Sequence, residues 1–181
     1  MILKCNNNFE KTVLMKSPGK SSGPAFLLAQ VGAHAASKFS ERIALIGLTP
    51  PDAGILRLLA LSQGMSQQDL SARLGIHPSR LVSVLDELES RDLLERKPNA
   101  EDRRQYSLSL TNQGRETLAK IGAVAREHQD ALLSALNHDE REKLTELLQK
   151  IADAEGLSPG IHPGYRYMRP KKKTRAPAGN R

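Results

Sequence analysis

Apolar residues recur at spacings of one, three and four through Phe26, Leu27, Val31, Ala35, Phe39, Ile43 and Ile46, predicting one long amphipathic helix that stops at Gly47. Thr49-Pro50-Pro51-Asp52 then supplies a capping hydroxyl, a proline suited to a first helical turn and an acid near the positive end of a helix. A second helix follows with Ile55, Leu58, Leu59 and Ser62 on one face, and Gln63-Gly64 breaks it. Ser66, with Asp69 three positions later, opens a third helix through Leu70 and Leu74 that closes at Gly75. Pro78 sits where a first-turn proline belongs in a fourth helix, whose buried stripe is expected to be Leu81, Val82, Leu85 and Leu88. Its other face is Ser79, Arg80, Ser83 and Glu87.

Beyond Asp92 the period changes. A short segment from Leu93 to Lys97 leads into Pro98-Asn99, which has turn chemistry, and Tyr106, Leu108 and Leu110 then alternate with Gln105, Ser107 and Ser109. This reads as a hairpin with one apolar face. Thr111 caps a fifth helix carrying Leu118, Ile121, Ala125, Leu132 and Leu136, and Asp139 opens a sixth through Leu144, Leu147, Leu148 and Ile151.

Helix, turn, helix, strand, charged loop and strand in that order describe a winged helix-turn-helix: mainly α, with a small β-hairpin wing and terminal dimerisation helices. The expected organisation is a flexible leader over residues 1–22, a domain over 23–156 and a basic tail over 157–181. The winged unit spans about 48–110, and the dimerisation helices span about 23–46 and 112–155. The first, fifth and sixth helices have apolar stripes broader than so small a unit covers, so a second copy is expected to bury them; an all-intramolecular bundle is the alternative.

Charge refines this reading. The formal net charge of +7 lies in the ends: +3 in residues 1–22 and +7 in residues 157–181, while residues 23–156 hold 16 basic against 19 acidic residues. The folded part is therefore slightly negative, and a DNA footprint on it must come from a few placed cations. The tail combines Pro159, Pro163, Pro170 and Pro177 with Lys171-Lys172-Lys173, a composition expected to be disordered, with a phosphate-contacting arm as the alternative. A single Cys, Cys5, excludes an internal disulfide, and no apolar run approaches membrane-spanning length, which fits a cytoplasmic protein with no membrane partner.

No Gly-rich phosphate loop, Gly-x-Ser-x-Gly or His-Glu-x-x-His motif is present, so no enzyme and no cofactor is expected. His34, His77, His128, His138 and His162 lack the close spacing of a metal site, and no metal is expected. A helix entering the major groove needs short or forked donors near its N-terminus, which assigns Ser79, Arg80 and Ser83 to base edges. Lys97 and Arg103 are expected at phosphates, as are Ser66 and Gln67 at a helix start.

Residues 48–118 resemble the MarR (multiple antibiotic resistance regulator) family of winged-helix transcription factors. The resemblance is carried by Leu48-Thr49-Pro50-Pro51, Gln68-Asp69-Leu70-Ser71-Ala72-Arg73-Leu74-Gly75, Leu85-Asp86-Glu87-Leu88-Glu89, Leu94-Glu95-Arg96, Asp102-Arg103-Arg104 and Leu110-Thr111-Asn112-Gln113-Gly114. It implies a sequence-specific DNA-binding regulator, a repressor acting on a pseudo-palindromic operator as a homodimer. It also implies that Arg96 pairs with Asp102 to support the wing while Arg104 enters the minor groove. Family members commonly carry Arg where this chain has Ser83 and Glu87, and Gly where it has Asp92. The family's regulators respond to small, often aromatic, effectors or to thiol oxidation. Here Cys5 precedes the first helix, and His34 is the candidate for an effector pocket. A winged module that binds protein without specific DNA binding is the alternative function.

Overall fold

A computed structural model describes residues 23–62, 64–98, 106–162 and 165. The chain divides into two compact units, residues 1–34 and 35–181. Helix α1 (Pro24–Ala44) begins in the first and ends in the second. A turn over 45–47 follows, where Gly47 takes a φ of 73°. In the second unit come α2 (Pro50–Leu61), β1 (Met65–Ser66), α3 (Gln67–Leu74), α4 (Pro78–Ser90), β2 (Leu94–Pro98), β3 (Tyr106–Leu110), α5 (Asn112–Leu132) and α6 (His138–Ala154).

The helix starts follow from local chemistry. Thr49 and Asp52 form a reciprocal capping box on α2: Thr49 N–H donates to Asp52 Oδ2 at 2.9 Å and Asp52 N–H donates to Thr49 Oγ1 at 3.4 Å. Ser66 Oγ accepts from Asp69 N–H at 3.1 Å to start α3, and Thr111 Oγ1 accepts from Gly114 N–H at 2.9 Å to start α5. The sixth helix opens at His138 rather than Asp139, because Asn137 and Glu140 make a second reciprocal capping box one residue earlier.

The sheet has three antiparallel strands in the order β1-β3-β2, one more than the hairpin read from the sequence. The extra strand is two residues long and pairs Met65 with Leu108 and Ser66 with Ser107. Within the hairpin, Leu94 faces Leu110, Arg96 faces Leu108 and Pro98 faces Tyr106. The core between sheet and helices is built from fully buried aliphatics, among them Ile55, Leu56 and Leu59 of α2, Leu70 and Leu74 of α3, and Leu94 and Leu108 of the sheet.

Helix α4 contributes Leu81, Leu85 and Leu88, spaced at four and three, and all three are fully buried. Val82 is corrected here: it is 37% exposed, because one residue along a helix is a 100° rotation away from Leu81, out of the core and toward the polar face. Helix α6 is the opposite case, since none of its residues is buried.

The joint between the winged unit and α5 is tight. Asp92 adopts a left-handed backbone with φ of 55°, and Thr111 Oγ1, besides capping α5, donates to the Asp92 carbonyl. Gly114 lies against the backbone of Leu93, so that a Cβ placed there would sit 1.9 Å from the Leu93 carbonyl oxygen. The Thr111 and Gly114 pairing thus has a steric reason: the hydroxyl holds the turn, and the missing side chain admits the Leu93 backbone that leads into β2.

Candidate nucleic-acid interface

The α3 to α4 turn is fixed by its backbone. Gly75 ends α3 in the left-handed region (φ 64°), Ile76 N–H donates to the Ser71 carbonyl at 3.2 Å, and the buried Ser71 hydroxyl donates to the Ile76 carbonyl at 2.6 Å. Ile76 is buried, which pins the turn to the core. His77 then caps α4, its Nδ1 accepting from Ser79 N–H at 3.3 Å. With Nδ1 as acceptor, the Ser79 hydroxyl 2.8 Å away donates to it. The sequence reading missed this cap, because His is an uncommon N-cap beside Ser, Thr, Asp and Asn.

Locking Leu81, Leu85 and Leu88 inward leaves Ser79, Arg80, Val82 and Ser83 on the exposed side of the first two turns of α4. The Ser83 hydroxyl donates to the Arg80 carbonyl at 3.1 Å, and its two lone pairs remain acceptors. The predicted reading residues Ser79, Arg80 and Ser83 therefore do share one face, and Val82 adds an apolar surface of the kind that meets a thymine methyl.

The remaining predicted residues divide. Gln67 is half-buried at the first position of α3. Ser66 is buried, and its hydroxyl donates to Asp69 Oδ2 at 2.6 Å, so it holds the start of α3. Lys97 is exposed on β2 and pairs with Glu95 at 2.7 Å. Arg96 reaches back to α4, where its guanidinium bridges Asp86 at 2.7 Å and also pairs with Glu89. The Arg96 N–H donates to the same Glu89 carboxylate at 3.2 Å. These carboxylates join wing and reading helix directly, a link that sequence spacing alone did not reveal. Asp102, Arg103 and Arg104 lie outside the described residues, and with them the expected Arg96–Asp102 pair and the wing tip. His34 is exposed on α1.

A groove of about 390 Å³ opens beside the sheet, lined by Leu59, Ala60, Glu95, Lys97, Ser109, Leu110, Arg115 and Leu118. Arg115 is held at its rim, donating to the Leu110 carbonyl at 2.9 Å and to Asn112 Oδ1 at 3.0 Å. Among the described residues no group of three His, Cys, Asp or Glu is placed to hold a metal ion. No described helix is long and apolar enough to cross a membrane.

A three-stranded wing sheet, a capped helix-turn-helix and a polar face on its second helix define a winged-helix transcriptional regulator. The sequence profile of the MarR family matches residues 46–105. A protein named as the transcriptional regulator for the hcr operon of Thauera aromatica is 34% identical over 114 residues, 62% of this chain and 68% of the relative. The transcriptional repressor CouR, solved bound to a 23-mer DNA duplex, is 34% identical with a TM-score of 0.64, covering 72% of this chain and 92% of that one. The MarR family protein Rv2887 of Mycobacterium tuberculosis, solved with salicylic acid, is 27% identical with a TM-score of 0.59, covering 72% and 97%. This chain belongs to the MarR family.

Proposed function

We propose that the protein is a homodimeric repressor that seats α4 in the major groove of each half of a two-fold related operator, with the wing tip at the adjacent minor groove. The observation that carries this reading is the outward face of Ser79, Arg80, Val82 and Ser83 on a helix whose other side is locked into the core. Arg80 makes a forked contact to guanine, Ser79 and Ser83 take neighbouring base edges or phosphates, and Gln67, Lys97 and Arg103 contact phosphates. Arg104 enters the minor groove, whose narrow stretches concentrate negative potential. Ser66 and Arg96, together with Asp102, hold the reading elements in place.

Dimerisation is supported by apolar residues that the single chain leaves exposed, Phe26, Leu27, Leu28 and Val31 on α1 and Leu147, Leu148 and Ile151 on α6. The groove with Arg115 at its rim beside Leu59, Leu110 and Leu118, its Lys97 tied to Glu95, suits a small aromatic acid, in keeping with the salicylic acid complex of a relative; His34 on α1 is a separate candidate for contact with an effector. The protein works in the cytoplasm as a regulator and not as an enzyme. Selection of bound fragments from a random DNA pool tests this reading. A two-fold symmetric consensus, released by salicylate, is the expected result; an asymmetric consensus, or none, would sink it.

A further inference from the structure

The chain does not leave the fold where α6 ends. Gly156 turns it in the left-handed region, Ile161 packs against the core, and Tyr165 is only 5% exposed. The Tyr165 hydroxyl donates to the Pro51 carbonyl in the first turn of α2 at 3.0 Å. Its ring occupies a notch that exists because position 54 is glycine: a Cβ there would lie 1.6 Å from the phenol oxygen and 2.8 Å from the adjoining ring carbon. Glycine inside a helix weakens it, so this notch is a structural cost with one visible beneficiary. Burial, with the Asp52 carboxylate nearby, holds the phenol in its neutral, donating form far into alkaline pH.

The residue after this plug begins the most basic stretch of the protein. Residues 166–181 hold seven Lys or Arg and no acid, against the net −3 of residues 23–156. A net negative body gains nothing from long-range attraction to a polyanion, so its few placed cations leave the long-range pull toward a duplex to a basic segment outside residues 23–156. Helix α2, which holds the plug, packs directly on the wing strand β3. Sixteen residues span at most about 55 Å, enough to reach a duplex seated on the same unit.

We propose that Tyr165 anchors a DNA-phosphate arm: residues 166–181, fastened to α2 by the buried ring, neutralise backbone phosphates beside the half-site. This rests on the DNA-reading role of α4, but it makes a separate demand, since phosphate contacts carry no sequence preference.

The test is a salt titration of binding to an operator and to a scrambled duplex, using the full chain, a chain ending at Tyr165, and Tyr165→Ala. Each phosphate contact contributes about 0.9 to the slope of log K against log salt. Removing the arm is therefore expected to lower the slope by about 3 to 6 on both duplexes and to leave their affinity ratio unchanged. Tyr165→Ala keeps the cations and moves the last fixed point back to Ile161. Local concentration then falls with the −3/2 power of connector length, predicting a weakening of about 1.4-fold with no change in slope. Should that variant fail to fold, a chain ending at His162 compared with one ending at Tyr165, by thermal melting, reports the anchor instead, and equal melting would overturn it. An unchanged slope on removing the arm overturns the proposal, as does loss of binding to anionic lipid vesicles with DNA binding intact. Loss of operator preference in the full chain with the slope effect retained would instead overturn the α4 reading and leave the arm standing.

Discussion

Helices α4 and α6 both carry leucines at helical spacing, yet α4 buries three of them completely and α6 buries none. In α4 the sheet and α3 have already covered the apolar side, so the exposed side is free to be polar and to serve a hydrated ligand. In α6 the polar side is equally well made, with the Asn137 and Glu140 capping box and a Lys143–Glu146 pair at 2.8 Å, but the apolar side is only partly covered within the described chain, with Leu144 half-buried and Leu147, Leu148 and Ile151 exposed. An amphipathic pattern therefore says that a stripe will be buried, and only the packing around it says by what.

The difference can be broken from either end. Lys at Leu148 and Ile151 together should leave the isolated fold intact, because both side chains are exposed, yet place four charges in a two-fold interface. The expected result is a monomer by light scattering and about 100-fold or greater loss of operator affinity, the scale on which avidity is lost. A dimer of unchanged affinity would remove α6 from the interface. Leu85→Ala attacks the covered stripe instead, and chemical denaturation should show a loss of about 2–5 kcal/mol, with reading lost through unfolding.

The joint between the winged unit and α5 is sharper still sterically, though smaller in energy. Gly114→Ala pushes a methyl into the Leu93 carbonyl and should cost about 1–3 kcal/mol, visible as a lower melting temperature. Arg80→Ala should leave melting unchanged and reduce discrimination at one symmetric pair of operator positions by about 1–3 kcal/mol. A uniform loss across sequences would make Arg80 a phosphate contact. The smallest effect is alkaline. Tyr165 is protonated in the fold at pH values where an unfolded tyrosine has ionised, so stability is full below about pH 10 and declines as pH rises beyond it. Tyr165→Phe should flatten that decline in a pH series of denaturation curves.

What could be read from the sequence and what could not separate along the same physical line. The caps at Thr49, Ser66 and Thr111 join residues three apart, and the Leu81, Leu85 and Leu88 stripe lies within two turns, so local spacing suffices. Strand β1 is two residues long and exists only through its pairing with β3, some forty positions away. Arg96 gained partners on α4, and the plug at Tyr165 bonds across 114 positions to Pro51. Each of these depends on tertiary placement, and none leaves a periodic trace. Val82 sits at the boundary of a stripe, where one residue of rotation decides between core and solvent.

The Leu93, Thr111 and Gly114 contact makes α5 a stiff spoke. It runs 21 residues, about 32 Å, from a hub with no slack between strand and helix. Tilting such a spoke by 5° displaces its far end by about 3 Å, close to the rise of one base pair. In the proposed dimer, a 5° change in the angle at which the two copies cross would therefore shift one winged unit along a duplex by about one step, with no part of either unit having to bend.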